Sequence, residues 1–113
     1  MIGIDIVAIE RFENMGADGF EKNAKVFTKK EWERAFGKAY PAATLAGIFA
    51  AKEATMKALG GTLRGRFDRI EIAAEEDGKP IALIDGTPLK DVDVSISHDG
   101  GFAVAAACTQ NVL

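Results

Sequence analysis

The chain has 113 residues, of which 48% are hydrophobic and 27% are charged, and its formal net charge is −3 at pH 7. This length and composition predict one globular domain covering residues 1–113. The negative charge argues against a general nucleic-acid binder, and no apolar run approaches the roughly 20 residues that a membrane-spanning helix needs.

The chain contains a single cysteine, Cys108, so an intramolecular disulfide is excluded. Without a CxxC pair or a histidine cluster, Cys108 also argues against a zinc site. Because it lies in an apolar segment, we expect its thiol to be buried. The N-terminus lacks the basic and apolar regions of a signal peptide. These features together predict a cytoplasmic protein that does not enter a membrane.

The first predicted element is a strand over residues 2–7, in which isoleucines alternate with Gly3, Asp5 and Val7. The isoleucines point to one face of the strand, and the other three residues point to the opposite face. An ionised carboxylate in such a strand is costly to bury unless a cation or hydrogen-bond donors compensate it. Asp5 therefore either faces water on an edge strand or converges with Glu53 on one divalent cation.

Helical segments follow this strand. Residues 10–15 look helical, and residues 20–27 form either a helix or an irregular turn. Thr28 and Glu31 have the spacing of a capping box, which predicts the start of a helix that runs to about Phe36. Lysines and arginines recur near these helices and again at residues 64–69, which suits a phosphate-bearing ligand or an acidic partner, although solvated helix faces are also rich in such charges.

A long helix is predicted from about residue 41 to a glycine pair at residues 60–61. It embeds Lys52, Glu53 and Lys57 among alanines and large apolar side chains. Glu53 and Lys57 share one face because they are spaced i, i+4. This arrangement could present a metal-binding carboxylate and phosphate-binding ammonium groups on a rigid helix. Equally, such pairs are common as ordinary ion pairs on half-exposed helices.

The second half of the chain is rich in predicted strands. These cover residues 68–74, 80–84, 93–97 and 102–109, with turns at residues 76–79 and 85–88. The only histidine, His98, follows the third of these strands, and a lone histidine there is more often hydrogen-bonded than catalytic. Helices early and strands late predict an α+β fold, with a mostly antiparallel sheet packed against the long central helix.

Five motifs in a fixed order span nearly the whole chain. They are Gly3–Val7 followed by Ile9–Arg11, Phe27–Glu31, Phe49–Gly60, Asp77–Pro80 and Ser95–His98. In sequence and order they resemble the motifs of the holo-acyl-carrier-protein synthase family of 4′-phosphopantetheinyl transferases. The resemblance implies the fold of that family.

The activity implied by this resemblance is the transfer of phosphopantetheine from coenzyme A to a serine of an acyl carrier protein, with release of adenosine 3′,5′-bisphosphate. It implies that Asp5 and Glu53 bind Mg²⁺, which bridges the pyrophosphate of coenzyme A. Family members are typically homotrimers with sites between subunits, so Asp5 and the Glu53 helix need not come from one subunit. Their acidic carrier proteins meet a basic helical surface near the N-terminus, where Arg11 matches the family and Lys22, Lys25 and Lys29 fit more loosely. The small size of the chain favours the fatty-acid carrier as partner.

These implied roles agree with the chemistry of phosphoryl transfer, which needs charge neutralisation and an oriented hydroxyl group. Mg²⁺ suits a site with few carboxylates, several waters and substrate phosphates. We hypothesise that Glu53 accepts the proton of the carrier serine, directly or through a water. Lys57 would stabilise charge on the departing bisphosphate, and Lys52 or His98 would contact phosphate.

The sequence departs from the family pattern at three places. Ile48 stands where the family often has arginine, so one contact to coenzyme A or the carrier is absent or replaced. His98 is followed by Asp99-Gly100-Gly101, whereas the family tends to have threonine or serine and then a polar or basic residue at these positions. Residues 85–91 are too short for the helix that relatives usually carry there, and a turn is expected instead.

Two other functions compete with a transferase. One is a module that binds coenzyme A or a carrier protein without turnover, although a pure binder has little need for a metal-binding carboxylate pair. The other is a structural domain in which Glu53 and Lys57 only stabilise a helix. In that case Asp5→Asn would be neutral or stabilising, because a buried charge would be removed.

Overall fold

The computed structural model describes residues 1–110. The strands are β1 (Ile2–Ala8), β2 (Ile70–Ala74), β3 (Pro80–Ile84), β4 (Thr87–Pro88), β5 (Val92–Asp99) and β6 (Phe102–Thr109). The α-helices are α1 (Phe20–Asn23), α2 (Lys29–Phe36) and α3 (Pro41–Ala58), and 3₁₀ turns cover Ile9–Phe12, Ala17–Gly19 and Phe67–Arg69. The main helices and strands lie within about two residues of their predicted bounds.

Helix α3 forms the centre of the fold. It has 18 residues, and buried residues occur around its whole circumference, as expected for a helix in the middle of a core. It packs against β1, β6 and β5 on one side and contacts α2 and β2 on others. The α+β fold with a long central helix, predicted from the order of elements, is therefore confirmed.

The strands form two antiparallel sheets rather than the single sheet suggested by the sequence. One sheet has the order β1-β6-β5, and the other has the order β2-β3-β4. In the first sheet Asp5 pairs with Ala105 of β6, and β1 is an edge strand. The predicted turn near residues 85–88 contains the short strand β4, and no helix forms at residues 85–91.

Gly3 allows β1 to pack unusually close to α3. A Cβ atom built on Gly3 would lie 1.9 Å from the carbonyl oxygen of Ala54, far inside van der Waals contact. A glycine inside a strand often marks such a close approach of two backbone segments. Because Gly3 and Asp5 lie on the same face of β1, this contact also holds Asp5 against the helix.

A buried ion pair joins three elements around α3. Glu31 of α2 and Lys52 of α3 are both 0% exposed, and the Lys52 Nζ lies 2.8 Å from Glu31 Oε1. Lys52 also donates to the carbonyl oxygen of Val26 at 2.7 Å. Glu31 accepts the backbone N–H of Ile72 in β2 at 2.6 Å, and it closes the predicted capping box with Thr28. This network fixes α3 against α2 and β2.

Cys108 is exposed, so the prediction of a buried thiol is wrong. It lies directly opposite Ile2 in the β1–β6 ladder. Both residues belong to the face of the sheet that points away from α3, because strand side chains alternate between faces. Within residues 1–110, none of the helices is sufficiently long and apolar to cross a membrane.

Candidate active site at the C-terminal half of the long helix

Asp5 and Lys57 lie beside each other where β1 crosses α3. The Lys57 Nζ lies 3.6 Å from Asp5 Oδ1 and donates to the carbonyl oxygen of Ile4 at 2.9 Å. The Asp5 side chain is 19% exposed and faces the helix, whereas the Lys57 side chain is 52% exposed. The structure therefore does not support the alternative in which Asp5 faces water from an edge strand.

Glu53 lies one helical turn before Lys57 and is half-buried. Both residues line a cleft of about 530 Å³, with Gly60, Gly61 and Arg64 on the loop after α3. Lys57 also lines a smaller cleft of about 310 Å³ that includes Asp5. Lys57 thus lines both clefts, one together with Glu53 and the other together with Asp5.

The donor set at this site suits a hard divalent cation that retains water. Within residues 1–110, no group of three or more histidine, cysteine, aspartate or glutamate side chains could hold a metal ion. Mg²⁺ is usually bound by one or two carboxylates together with waters and substrate phosphates. The site also lies near the C-terminus of α3, whose partial negative charge favours cations. Asp5 and Glu53 therefore fit Mg²⁺.

Lys52 does not belong to this site. Its side chain is 0% exposed and is bonded to Glu31 and Val26 inside the core. Burial lowers the pKa of Lys52 and raises that of Glu31, and in both residues the ion pair opposes this effect. A phosphate in solution has no access to such an ammonium group. The structure therefore does not support the predicted phosphate contact of Lys52 and gives this residue a role in holding α3.

His98 lies at a second cleft near the N-terminal half of α3. Its Nε2–H donates to the carbonyl oxygen of Ala43 at 2.8 Å. Ala43 precedes Glu53 by ten residues, which is about 15 Å along the helix. This cleft of about 260 Å³ is also lined by Arg34, Lys38 and Ile48, the position where the sequence differs from the family pattern. The fold thus separates His98 from the carboxylates.

Gly47 shapes this second cleft and was not identified from the sequence. A Cβ atom built on Gly47 would lie 3.0 Å from His98 Nε2 and 3.0 Å from Ile96 Cγ2. Its place in the middle of a predicted helix could have identified it, because glycine is unfavourable there unless close packing requires it. Gly3, as a glycine inside strand β1, was the corresponding signal for the site around Lys57.

Comparisons with known proteins agree with this architecture. The model of the 4′-phosphopantetheinyl transferase superfamily matches residues 1–107. The holo-[acyl-carrier-protein] synthase of Caldicellulosiruptor saccharolyticus is 39% identical over 96% of this chain and 94% of its own length. That of Nautilia profundicola is 44% identical over 94% of this chain and 96% of its own length.

Solved structures give the same answer for the fold. The Helicobacter pylori holo-[acyl-carrier-protein] synthase, crystallised with coenzyme A, matches with a TM-score of 0.78 and 30% identity over 97% of this chain and 100% of its own. The Bacillus anthracis synthase, in complex with CoA (3′,5′-ADP), matches with a TM-score of 0.73 and 36% identity over 94% of this chain and 91% of its own. As its motifs predicted, the chain belongs to the 4′-phosphopantetheinyl transferase superfamily and is an enzyme of that class.

Proposed function

We propose that this chain is a holo-[acyl-carrier-protein] synthase that transfers 4′-phosphopantetheine from coenzyme A to a serine of an apo acyl carrier protein in the cytoplasm, in a reaction that depends on Mg²⁺. The relatives named for this activity cover nearly the whole chain. The observation that carries the proposal is that Lys57 lies 3.6 Å from Asp5 and lines an open cleft together with Glu53.

In the proposed reaction, the serine hydroxyl oxygen forms a bond to the phosphorus atom that carries the pantetheine group. The bond from that phosphorus to the bridging oxygen of the diphosphate breaks, and adenosine 3′,5′-bisphosphate leaves with the bond's electron pair. Glu53 accepts the serine proton, and Lys57 lowers the energy of the negative charge that develops on the leaving group. Bound Mg²⁺, held by Asp5 and Glu53, would neutralise charge on the diphosphate oxygens.

His98 is proposed to contact a phosphate of the nucleotide part of coenzyme A. Its cleft combines apolar walls, among them Pro80 and Ile96, with the cationic side chains of Arg34 and Lys38. Such a mixture suits a base and a phosphate group. Ile48, which is 2% exposed, adds no charge where the family often has arginine. Arg34 of α2 and Lys38 of the following loop can supply the positive charge instead.

The surface that meets the acidic carrier protein is proposed to include Arg11, with weaker contributions from Lys22, Lys25 and Lys29. The Arg11 guanidinium lies 4.9 Å from the centre of the Phe49 ring, and the Lys29 Nζ lies 5.4 Å from that of Phe20. These cation–π contacts hold the charges at defined places on the surface. Defined positive charge favours association with an acidic partner.

A homotrimer is proposed as the working assembly. Ile2, Ile4 and Ile6 on β1 are 75%, 60% and 63% exposed, and Phe102 on β6 is 46% exposed. Large apolar side chains on one sheet face are a common feature of protein–protein interfaces. Together with the trimers typical of the family, this face supports self-association of the chain.

The proposed activity is tested by following adenosine 3′,5′-bisphosphate by chromatography after the protein is mixed with coenzyme A, Mg²⁺ and an apo acyl carrier protein. We expect one bisphosphate released for each carrier modified, and none with a carrier whose acceptor serine is alanine. If coenzyme A binds without Mg²⁺ and no bisphosphate is released with any of several apo carriers, the protein is a binding module instead.

A further inference from the structure

The main cleft is the cleft of about 530 Å³ that Glu53, Lys57 and Arg64 line, and without Arg64 it is short of positive charge for a diphosphate ligand. Asp5 and Glu53 are two acidic side chains at the site, against the single ammonium group of Lys57. The C-terminus of α3, at Ala58, adds a partial negative charge near the same place. Lys57 is also partly engaged, because it donates to the Ile4 carbonyl oxygen and lies 3.6 Å from Asp5. Even with the proposed Mg²⁺ bound, Asp5, Glu53 and Lys57 leave a formal charge of about +1 against the two negative charges of a diphosphate, so a second cationic side chain is needed to balance the phosphates.

Arg64 is placed to supply this charge. It lies on the loop between α3 and the 3₁₀ turn Phe67–Arg69, and it lines the same cleft as Glu53 and Lys57. Within residues 1–110, no carboxylate lies within ion-pair distance of Arg64. The nearby arginines, Arg66 and Arg69, each form an ion pair.

The two neighbouring arginines are already paired. Arg66 is bonded to Asp68 at 3.0 Å, and Arg69 is bonded to Asp85 at 2.6 Å. Each guanidinium is paired with a carboxylate, and neither residue lines the main cleft. Of the three arginines in this cluster, only Arg64 therefore combines a position at the cleft with a guanidinium that no carboxylate of the described chain occupies.

The loop around Arg64 is built from glycines with a defined conformation. Gly60, Gly61 and Gly65 have φ values of 76°, 81° and 77°, which residues with a side chain rarely adopt. Gly60 and Gly61 cap the end of α3, where their N–H groups donate to the carbonyl oxygens of Lys57 and Met56 at 3.1 Å, and Arg64 on the same loop lines the cleft that Lys57 lines. All three glycines line the cleft and keep that side of it free of side chains.

We propose that Arg64 binds the diphosphate of coenzyme A and completes the charge balance of the main cleft, an inference that rests on the proposed function. A planar guanidinium can donate two parallel hydrogen bonds to phosphate oxygens. Arg64 then shares the diphosphate with Lys57, which lines the same cleft. The binding of coenzyme A, rather than the binding of the carrier protein, is the step that depends on Arg64.

The test compares Arg64→Gln and Arg64→Lys with Arg66→Gln, a matched control that removes an arginine outside the cleft. Binding of coenzyme A is measured by calorimetry in Mg²⁺ without any carrier protein, and the KM values for coenzyme A and carrier are measured separately. Arg64→Gln should weaken coenzyme A binding roughly tenfold, as expected for one lost charged hydrogen bond, and Arg64→Lys should recover part of that loss. Arg66→Gln should stay within about twofold of the parent protein.

Two results would overturn the inference while leaving the proposed function intact. The first is equal coenzyme A binding by Arg64→Gln and Arg66→Gln in a protein that still modifies its carrier. The second is a change confined to the KM for the carrier, which would place Arg64 at the protein partner instead. By contrast, a parent protein that binds coenzyme A and never modifies a carrier would refute the proposed function, and the calorimetry would still decide the role of Arg64.

Discussion

At the scale of single residues, Asp5, Glu53 and Lys57 have different surroundings. Asp5 is mostly covered and lies next to Lys57, whereas Glu53 faces the open cleft. Lys57 is held by the backbone of β1 through Ile4. These differences predict that removing the charge of Glu53 affects chemistry more than folding.

Glu53→Gln should retain the fold and lose activity. The amide has the size of the carboxylate, but it is a poor Mg²⁺ ligand and cannot accept a proton, so we expect the rate to fall by roughly a hundredfold or more. The rate of bisphosphate release at saturating Mg²⁺ measures this effect, and thermal unfolding serves as the control for the fold. Turnover close to that of the parent protein would show that Glu53 has neither proposed role.

At the scale of elements, the distance between β1 and α3 depends on Gly3. Gly3→Ala places a Cβ atom 1.9 Å from the Ala54 carbonyl oxygen, so the strand or the helix has to move. We expect a loss of about 1–3 kcal/mol in the free energy of unfolding, together with reduced activity because Asp5 moves with the strand. Urea unfolding and bisphosphate release measure the two effects.

Gly47→Ala is the matched control for this prediction, because it introduces the same methyl group at the other cleft. Its Cβ atom would meet side-chain atoms of His98 and Ile96 at 3.0 Å, and these can shift more easily than a backbone carbonyl. The control should lose less stability and should weaken nucleotide binding. Equal stability of Gly3→Ala and the parent protein would contradict the close packing described here.

The ion pair between α2 and α3 gives a prediction for stability. Lys52→Met leaves the buried Glu31 carboxylate without its counter-ion, which should cost about 3–5 kcal/mol of unfolding free energy at neutral pH. The double variant Lys52→Met with Glu31→Gln should regain part of this loss. Urea unfolding of the two variants checks both statements, and a stable Lys52→Met protein with impaired phosphate binding would restore the original assignment of Lys52 to the ligand.

The loss in Lys52→Met should depend on pH in a known direction. Burial raises the pKa of Glu31 above its ordinary value of 4.5, and the lysine that opposes this effect is gone in the variant. The folded protein then binds a proton more readily than the unfolded chain. The stability contribution of protonated Glu31 is therefore complete below pH 4.5 and is lost as the pH rises through the raised pKa, so the deficit should shrink on acidification.

The sequence predicted most element bounds because they depend on local chemistry. The capping box of Thr28 and Glu31 and the proline at position 41 mark helix starts by themselves. The environment of Lys52 depends instead on a partner 21 residues earlier in the chain, which its spacing to Glu53 could not reveal. Alternation along β1 identified two faces correctly, yet it could not indicate that the isoleucine face is the exposed one.

At the scale of the whole molecule, the exposed isoleucine face gives a prediction about assembly. Ile4→Glu places a charge in the middle of this face, and each large apolar side chain buried at an interface contributes about 2 kcal/mol. We expect the parent protein to be a homotrimer and the variant to dissociate, as measured by sedimentation equilibrium. A monomeric parent protein would contradict the proposed assembly.

The assembly prediction has a control on the same strand. Val7 is 3% exposed and points to the core, so Val7→Ala should lower stability without changing the mass of the assembly. If both variants sediment like the parent protein, the isoleucine face is not the contact between subunits.

In the proposed reaction, the carboxylates beside Lys57 support a metal-dependent transfer of phosphopantetheine to the carrier protein. Intact-mass spectrometry of an apo acyl carrier protein, incubated with this protein, coenzyme A and Mg²⁺, tests it most directly. We predict a mass gain of one phosphopantetheine group, which disappears with EDTA and with a folded Asp5→Asn variant. An unchanged gain under both conditions would contradict the metal site, and no gain across several apo carriers would contradict the transferase itself.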